Sequence, residues 1–218
     1  MLKNETENSR VKSNGAEDIA DAVAALKRGE IIVFPTETLY GLGVDALNGT
    51  AVDKLFHLKG RDSNNPIPVL VADEQMLLML VAEISNSARK LMNRFWPGPL
   101  TLVLRARREI PARLLNANGG IGVRISSRPI ATRLVQTLGR PLTATSANPS
   151  GRKPARTIEE AKRYFAGRIS SFVNGGILTS KEGSTVAEVT EDSIRIIREG
   201  EIRASELESI LSNEKPRR

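Results

Sequence analysis

IIVFPTETLYGLG, residues 31–43, is the stretch from which the rest of the chain is best read. Ile31 to Phe34 is a short unbroken apolar run, the pattern of a strand buried on both faces. Pro35 stops the ladder, and Thr36, Glu37, Thr38 and Tyr40 then supply three hydroxyls and a carboxylate around a pair of glycines. Polar groups at a strand exit, beside glycines that let the backbone come close, suit either a small polar ligand or a hydrogen-bonded turn. Gly41-Leu42-Gly43 with Ala46 loosely fits a dinucleotide fingerprint. The fit is rejected, because no helix opens in the right place and no strand-end acid follows at the needed distance.

On either side of this stretch, helical and strand patterns alternate, which predicts an α/β domain. Residues 16–29 put Ile19, Ala20, Val23, Ala24 and Leu26 near one helical face. Thr50 with Asp53 resembles the start of a helix running to Leu58. PIPVLVA (66–72), LTLVLRA (100–106), IGVRIS (121–126) and PLTATS (141–146) read as strands, with helical material at 73–94 and 130–138. Thr157 with Glu160 forms a capping box, short strands follow near 170–173, 185–190 and 194–198, and Ser205 with Glu208 is expected to cap a last helix. Several connections are too short for a helical crossover, so parallel and antiparallel pairs should mix. The expected organisation is a flexible tail at 1–15, one domain at 16–211 and a second flexible tail at 212–218.

Composition removes whole classes of chemistry. The 218 residues contain no cysteine and one histidine, His57, so disulfides, thiolate metal sites, cysteine nucleophiles and multi-histidine metal centres are excluded. No apolar run approaches the roughly 18 residues that cross a bilayer, and the polar start lacks a secretory segment. A cytoplasmic protein without membrane contact is therefore expected. The net charge of +7 is uneven: Arg89 to Arg156 holds fourteen basic residues against Glu109 alone, while the remainder sums to −6. Such a block favours an anionic partner, nucleotide or RNA, unless its arginines are spread over several solvated faces.

Three more segments could carry chemistry. Lys59-Gly60-Arg61 sets two cations one glycine apart, able to converge on a phosphate chain or simply to answer a helix macrodipole. Thr143 to Gly151 (TATSANPSG) runs a strand into hydroxyls and an amide. Ser146 and Asn148, two apart, face one side if the strand persists, which would suit phosphate or ribose; a Ser/Asn turn is the plainer reading. Arg124 interrupts an apolar strand and must meet an acid or a bound anion. His57 reads as an exposed helix residue and Trp96 as a packing anchor. With few aromatics near the basic block, a stacking surface for single-stranded RNA is poorly supported. No Walker motif occurs.

Taken in order, VFPTETLYGLG, LFHLKGRDSNNPIPVLV, FWPGPLTLVL, GVRIS, LTATSANPSG, GSTVAEV and IRIIREG resemble the YrdC family, which includes threonylcarbamoyl-AMP synthases. The resemblance implies a single-domain α/β fold, a twisted mixed sheet with flanking helices around a positively charged cavity. It implies a nucleotidyl transfer in which L-threonine, bicarbonate and ATP give threonylcarbamoyl-AMP and pyrophosphate for tRNA modification, with transfer enzymes downstream. By the same resemblance Lys59, Arg61, Asn65, Ser146, Asn148 and Arg198 bind ATP, with Lys59 and Arg61 in the catalytic role. Thr38, Arg124 and Ser184 bind threonine. Magnesium is expected to arrive with ATP, no carboxylate cluster being visible to hold a metal independently. The chain departs from the family pattern at Asp62, where proline is common, and after Arg124, where Ile-Ser-Ser stands for Ile-Pro. At Leu70 some relatives carry histidine. It is expected to be the short form. An RNA-binding or ribosome-maturation protein using the same concavity is the alternative, and a paralogue adenylating another carbamate is a third reading.

Overall fold

The computed structural model describes residues 17–62, 65–191 and 193–212. The first half runs through α1 (residues 17–27), β1 (Ile32–Pro35), β2 (Tyr40–Gly43), α2 (Gly49–Lys59), β3 (Val69–Leu70), α3 (Glu74–Leu77) and α4 (Asn86–Phe95). Next come β4 (Leu100–Arg105), β5 (Gly120–Arg124), α5 (Pro129–Leu138), β6 (Leu142–Thr143) and β7 (Thr145–Ser146). The remainder is α6 (Ile158–Phe165), β8 (Ser171–Phe172), β9 (Thr185–Val189), β10 (Ile194–Arg198) and α7 (Ala204–Ser212). The expected tails fall outside the described residues, except that Ser212 closes α7.

The strands form two mixed sheets, ordered β7-β2-β1-β8 and β10-β9-β4-β5-β3-β6. They meet in one segment. Gly41 and Leu42 pair antiparallel with Ser146 and Thr145 in the first sheet. Earlier along that segment, with only Ala144 between, Thr143 and Leu142 pair with Val69 and Leu70 in the second. The Thr143 N–H donates to Val44 O and the Ala144 N–H to Pro68 O, so residues 142–146 belong to both sheets as the chain changes partner. The cavity described below opens at this seam.

Side-chain alternation on β1 explains its apolar run. Val33 packs into the larger core with Tyr40, Leu42, Leu55 and Leu102, while Ile32 and Phe34 point the other way. There they meet Leu26 of α1 and Leu134 of α5. A strand covered on both faces has no polar side to show. On α1 the buried face is Ile19, Ala22, Val23, Ala25 and Leu26, whereas Ala20 and Ala24 are exposed; the face is rotated from the expected one. Gly41 and Gly43 lie within β2 and open no helix, so the rejected dinucleotide fingerprint stays rejected.

Helix ends follow local hydrogen bonding. The N-cap of α2 is Asn48, whose side chain accepts from the Ala51 N–H at 3.1 Å, rather than Thr50. Asparagine and threonine both cap well, and the first in the run took the role. Thr157 does accept from the Glu160 N–H, and Glu160 returns to the Arg156 N–H. At α7 the Arg203 N–H is taken by Glu206 and the Ala204 N–H by Glu199, so Ser205 lies inside the helix and does not cap it. The helical stretch expected over 73–94 is split into α3 and α4.

Candidate active site

A cavity of about 350 Å³ lies at the seam, within the range of small-molecule sites. The β1–β2 turn supplies Thr36 and Thr38, and the seam segment supplies Ala144, Thr145 and Ser146. Arg61 enters just past the end of α2, Thr101 and Arg124 from β4 and β5, Ser184 from the residue before β9 and Arg198 from β10. Glu182 and Glu199 stand on the rim, where Arg203 lies 3.5 Å and 3.2 Å from them.

The turn is held by one hydroxyl. Thr36 Oγ1 donates to Leu39 O at 2.8 Å and accepts the N–H groups of Thr38 and Leu39 at 3.2 Å each. Thr38 Oγ1 lies 3.1 Å from it and is buried at the cavity wall. Tyr40 then ties the turn to the segment after β8: its hydroxyl donates to Gly176 O at 2.8 Å and accepts the Gly175 N–H at 2.9 Å.

Gly60, with φ at 60°, ends α2 in the left-handed region, and its N–H satisfies late helical carbonyls. The turn sends Lys59 and Arg61 to different places. Lys59, 3% exposed, buries its ammonium behind the seam. Its Nζ donates to Ser146 O, to Asn148 O at 3.0 Å and to Asn148 Oδ1 at 3.2 Å, with Ser146 Oγ 3.4 Å away. Lys59 of the spaced Lys/Arg pair is thus interlocked with both members of the Ser/Asn pair. Burial, with the Arg61 charge adding to it, lowers the Lys59 ammonium to about 7.

Arg61 faces the cavity, held by Asn65 O at 2.6 Å and Asn65 Oδ1 at 2.9 Å. Asn65 itself is exposed and does not line the cavity. Asn148 is likewise behind the wall, its amide donating to Pro149 O and Arg152 O. Opposite, Arg198 donates to Ser184 O at 2.7 Å, and Ser184 Oγ lies 2.9 Å from Thr101 Oγ1. Arg124, 5% exposed, has its Nη1 2.9 Å from Oε1 of the partly buried Glu37, the acid its sequence setting called for. Glu37 Oε2 accepts the Ser126 hydroxyl.

Electrostatically the three guanidiniums form a chain. Burial lowers each below the usual arginine value, and Arg198 adds to the effect on Arg61 as Arg124 does on Arg198. Cations that depress one another across a cavity wall are relieved by an anion placed between them. Only Arg124 of this trio comes from the basic block at 89–156. The rest of that block is dispersed: Arg89 on Glu74, Arg113 on Asp53, Arg140 on Asp45 and Arg94 over the Phe95 ring. Arg61 and Arg198 were legible from their motifs, not from charge counting. Thr36 and Glu37 belong to the polar strand exit marked in the sequence, whereas Thr101 carries no comparable local signal and reads as ordinary strand sequence.

A two-sheet α/β protein with hydroxyls and guanidiniums converging at the sheet seam is the class defined by this geometry. The model of the Sua5/YciO/YrdC family, described as "Telomere recombination", matches residues 24–200, and the chain belongs to that family. The threonylcarbamoyl-AMP synthase of Pyrococcus abyssi is 35% identical over 190 residues, covering 87% of this chain and 56% of the relative. That of Bacillus subtilis is 37% identical over 194 residues, covering 88% and 56%. That of Thiobacillus denitrificans is 38% identical over 172 residues, covering 78% and 90%. The crystal structure of P. abyssi Sua5 complexed with L-threonine superimposes with a TM-score of 0.85 at 35% identity, covering 89% of this chain and 57% of that one. The chain therefore spans about half the length of the first two relatives. The relatives' names do not favour the RNA-binding alternative.

Proposed function

We propose that this chain is an L-threonylcarbamoyladenylate synthase. One observation carries the reading beside the family membership: Thr38, Arg61, Arg124, Ser146, Ser184 and Arg198, drawn from six separate motifs, all line one cavity. Arg124 would take the carboxylate of threonine, with Thr38 and Ser184 offering hydroxyls to its polar groups. Arg61, Arg198 and Ser146 would take the phosphates of ATP.

The chemistry needs little from a protein base. The amine of threonine adds to the carbon of carbon dioxide, supplied by bicarbonate, and loses a proton to give a carbamate. A carbamate oxygen then attacks the α-phosphorus of ATP, the bond to the β-phosphate oxygen breaks, and pyrophosphate leaves. Such a displacement depends on alignment and on neutralising the phosphate oxygens. Arg61 and Arg198 would do this from two sides. Lys59 would hold the Ser146 wall in place and add its charge behind it. Among the described residues no group of three acidic or imidazole side chains could hold a metal, so magnesium would come with ATP as a phosphate counter-ion. Among the same residues no helix is long and apolar enough to cross a membrane. A cytoplasmic setting, and transfer enzymes that pass the product to tRNA, follow from this product and not from the fold.

The test is pyrophosphate release from Mg-ATP and bicarbonate with threonine, serine or alanine. Release that depends on threonine is the expected result. Release with another amine instead would make the chain a paralogue of different specificity. No release from protein that binds ATP would overturn the synthase reading.

A further inference from the structure

Ser126 sits two residues beyond Arg124 and is 3% exposed. Its hydroxyl donates to Glu37 Oε2, accepts the Arg128 N–H at 3.2 Å, and its carbonyl accepts from Thr132 Oγ1 at 2.9 Å. A hydroxyl has one proton to give. With the Arg128 N–H occupying a lone pair, that proton is directed at Glu37. The other carboxylate oxygen, Oε1, is then left against Arg124 Nη1 at 2.9 Å.

The unconstrained preference of a carboxylate beside a guanidinium is the bidentate fork, both oxygens against two nitrogens. Here the serine fixes Oε2, the contact of Glu37 with Arg124 runs through Oε1 and Nη1, and Arg124 still lines the cavity. We infer that Ser126 is a positioning residue, which restrains Glu37 to that contact and so keeps an edge of Arg124 free for the carboxylate of the incoming amino acid. The inference rests on the threonine reading above.

Steady-state pyrophosphate release separates the possibilities. Ser126→Ala should raise KM for threonine about tenfold, a loss on the scale of one hydrogen bond to a charged group. Its kcat and KM for ATP should stay within about twofold, and Ser126→Thr should restore the threonine KM. Should the alanine variant melt below the assay temperature, Ser126→Cys, similar in size and only a weak donor, carries the same expectation. An unchanged threonine KM in the variant overturns the role. So does a loss shared equally with the ATP KM and kcat, or a threonine variant as poor as alanine. Absence of threonine-dependent release from the unaltered protein overturns the functional reading and this role together; release with an unaffected Ser126→Ala overturns the role alone.

Discussion

Lys59 is the residue on which motif and structure differ most in detail. Its motif suggests a lysine pointing at phosphate, yet its ammonium is enclosed by Ser146 and Asn148 oxygens behind the cavity wall. Its pKa is lowered from 10.5 to about 7 by burial. A folded-state value below the unfolded one means that between these two the unfolded chain binds more protons, so stability should rise with pH across that window. Denaturant titrations at pH 7 and pH 9 should show the wild type gaining stability relative to Lys59→Met, in which the group that titrates is gone. In the assay, Arg61→Ala should lower pyrophosphate release by about 100-fold or more while the fold persists, as expected for removing one charge-stabilising donor. Comparable turnover in the variant would remove Arg61 from the mechanism. The need of Arg124 for an anion was readable in the sequence because a lone charge in an apolar strand is costly. That the anion is Glu37, 87 positions away in the chain, was not, since the partner is brought by a turn between other strands.

At the scale of elements, α2 shows how a cap directs chemistry. Gly60 turns the chain with φ at 60°, and no atom outside its neighbours would touch an added Cβ, so the cost of replacing it is backbone conformation alone. Gly60→Ala should destabilise the protein by about 1 kcal/mol and raise KM for ATP, because Arg61 takes its direction from this residue. Gly43 is the opposite case. An added Cβ would lie 2.7 Å from Phe34 Cε1 and 3.0 Å from Leu142 Cδ1. Gly43→Ala should cost about 1–3 kcal/mol through overpacking, read as a lower denaturant midpoint with an unchanged slope. Most elements were legible from apolar period and punctuation: β1, β4, β5, β9 and β10 fall where the patterns put them. The starts of α2 and α7 did not: Asn48 and Thr50 compete to cap α2, and at α7 the first N–H groups are taken by Glu206 and Glu199 side chains in place of Ser205.

For the molecule as a whole, the cavity draws its walls from both sheets, with Ser146 and the β1–β2 turn residue Thr38 on one side and Arg124, Arg198 and Ser184, the residue before β9, on the other. A ligand spanning it binds the folded state alone, so threonine and Mg-ATP together should raise Tm by more than either alone. A thermal melt with each ligand and the pair checks this. The seam itself was invisible in the sequence. PLTATS reads as one strand, and nothing local says that its first half pairs with β3 while its second pairs with β2. Long-range partner exchange leaves no periodic mark.

The strand shared between the sheets also bears on how the protein comes apart. The smaller core, under α1 and α5, includes Leu142, and the larger includes Ala147, so one short segment anchors both. Neither core can be lost while the other keeps its edge. Unfolding should therefore be a single cooperative event despite two sheets and two cores, with calorimetric and van't Hoff enthalpies that agree.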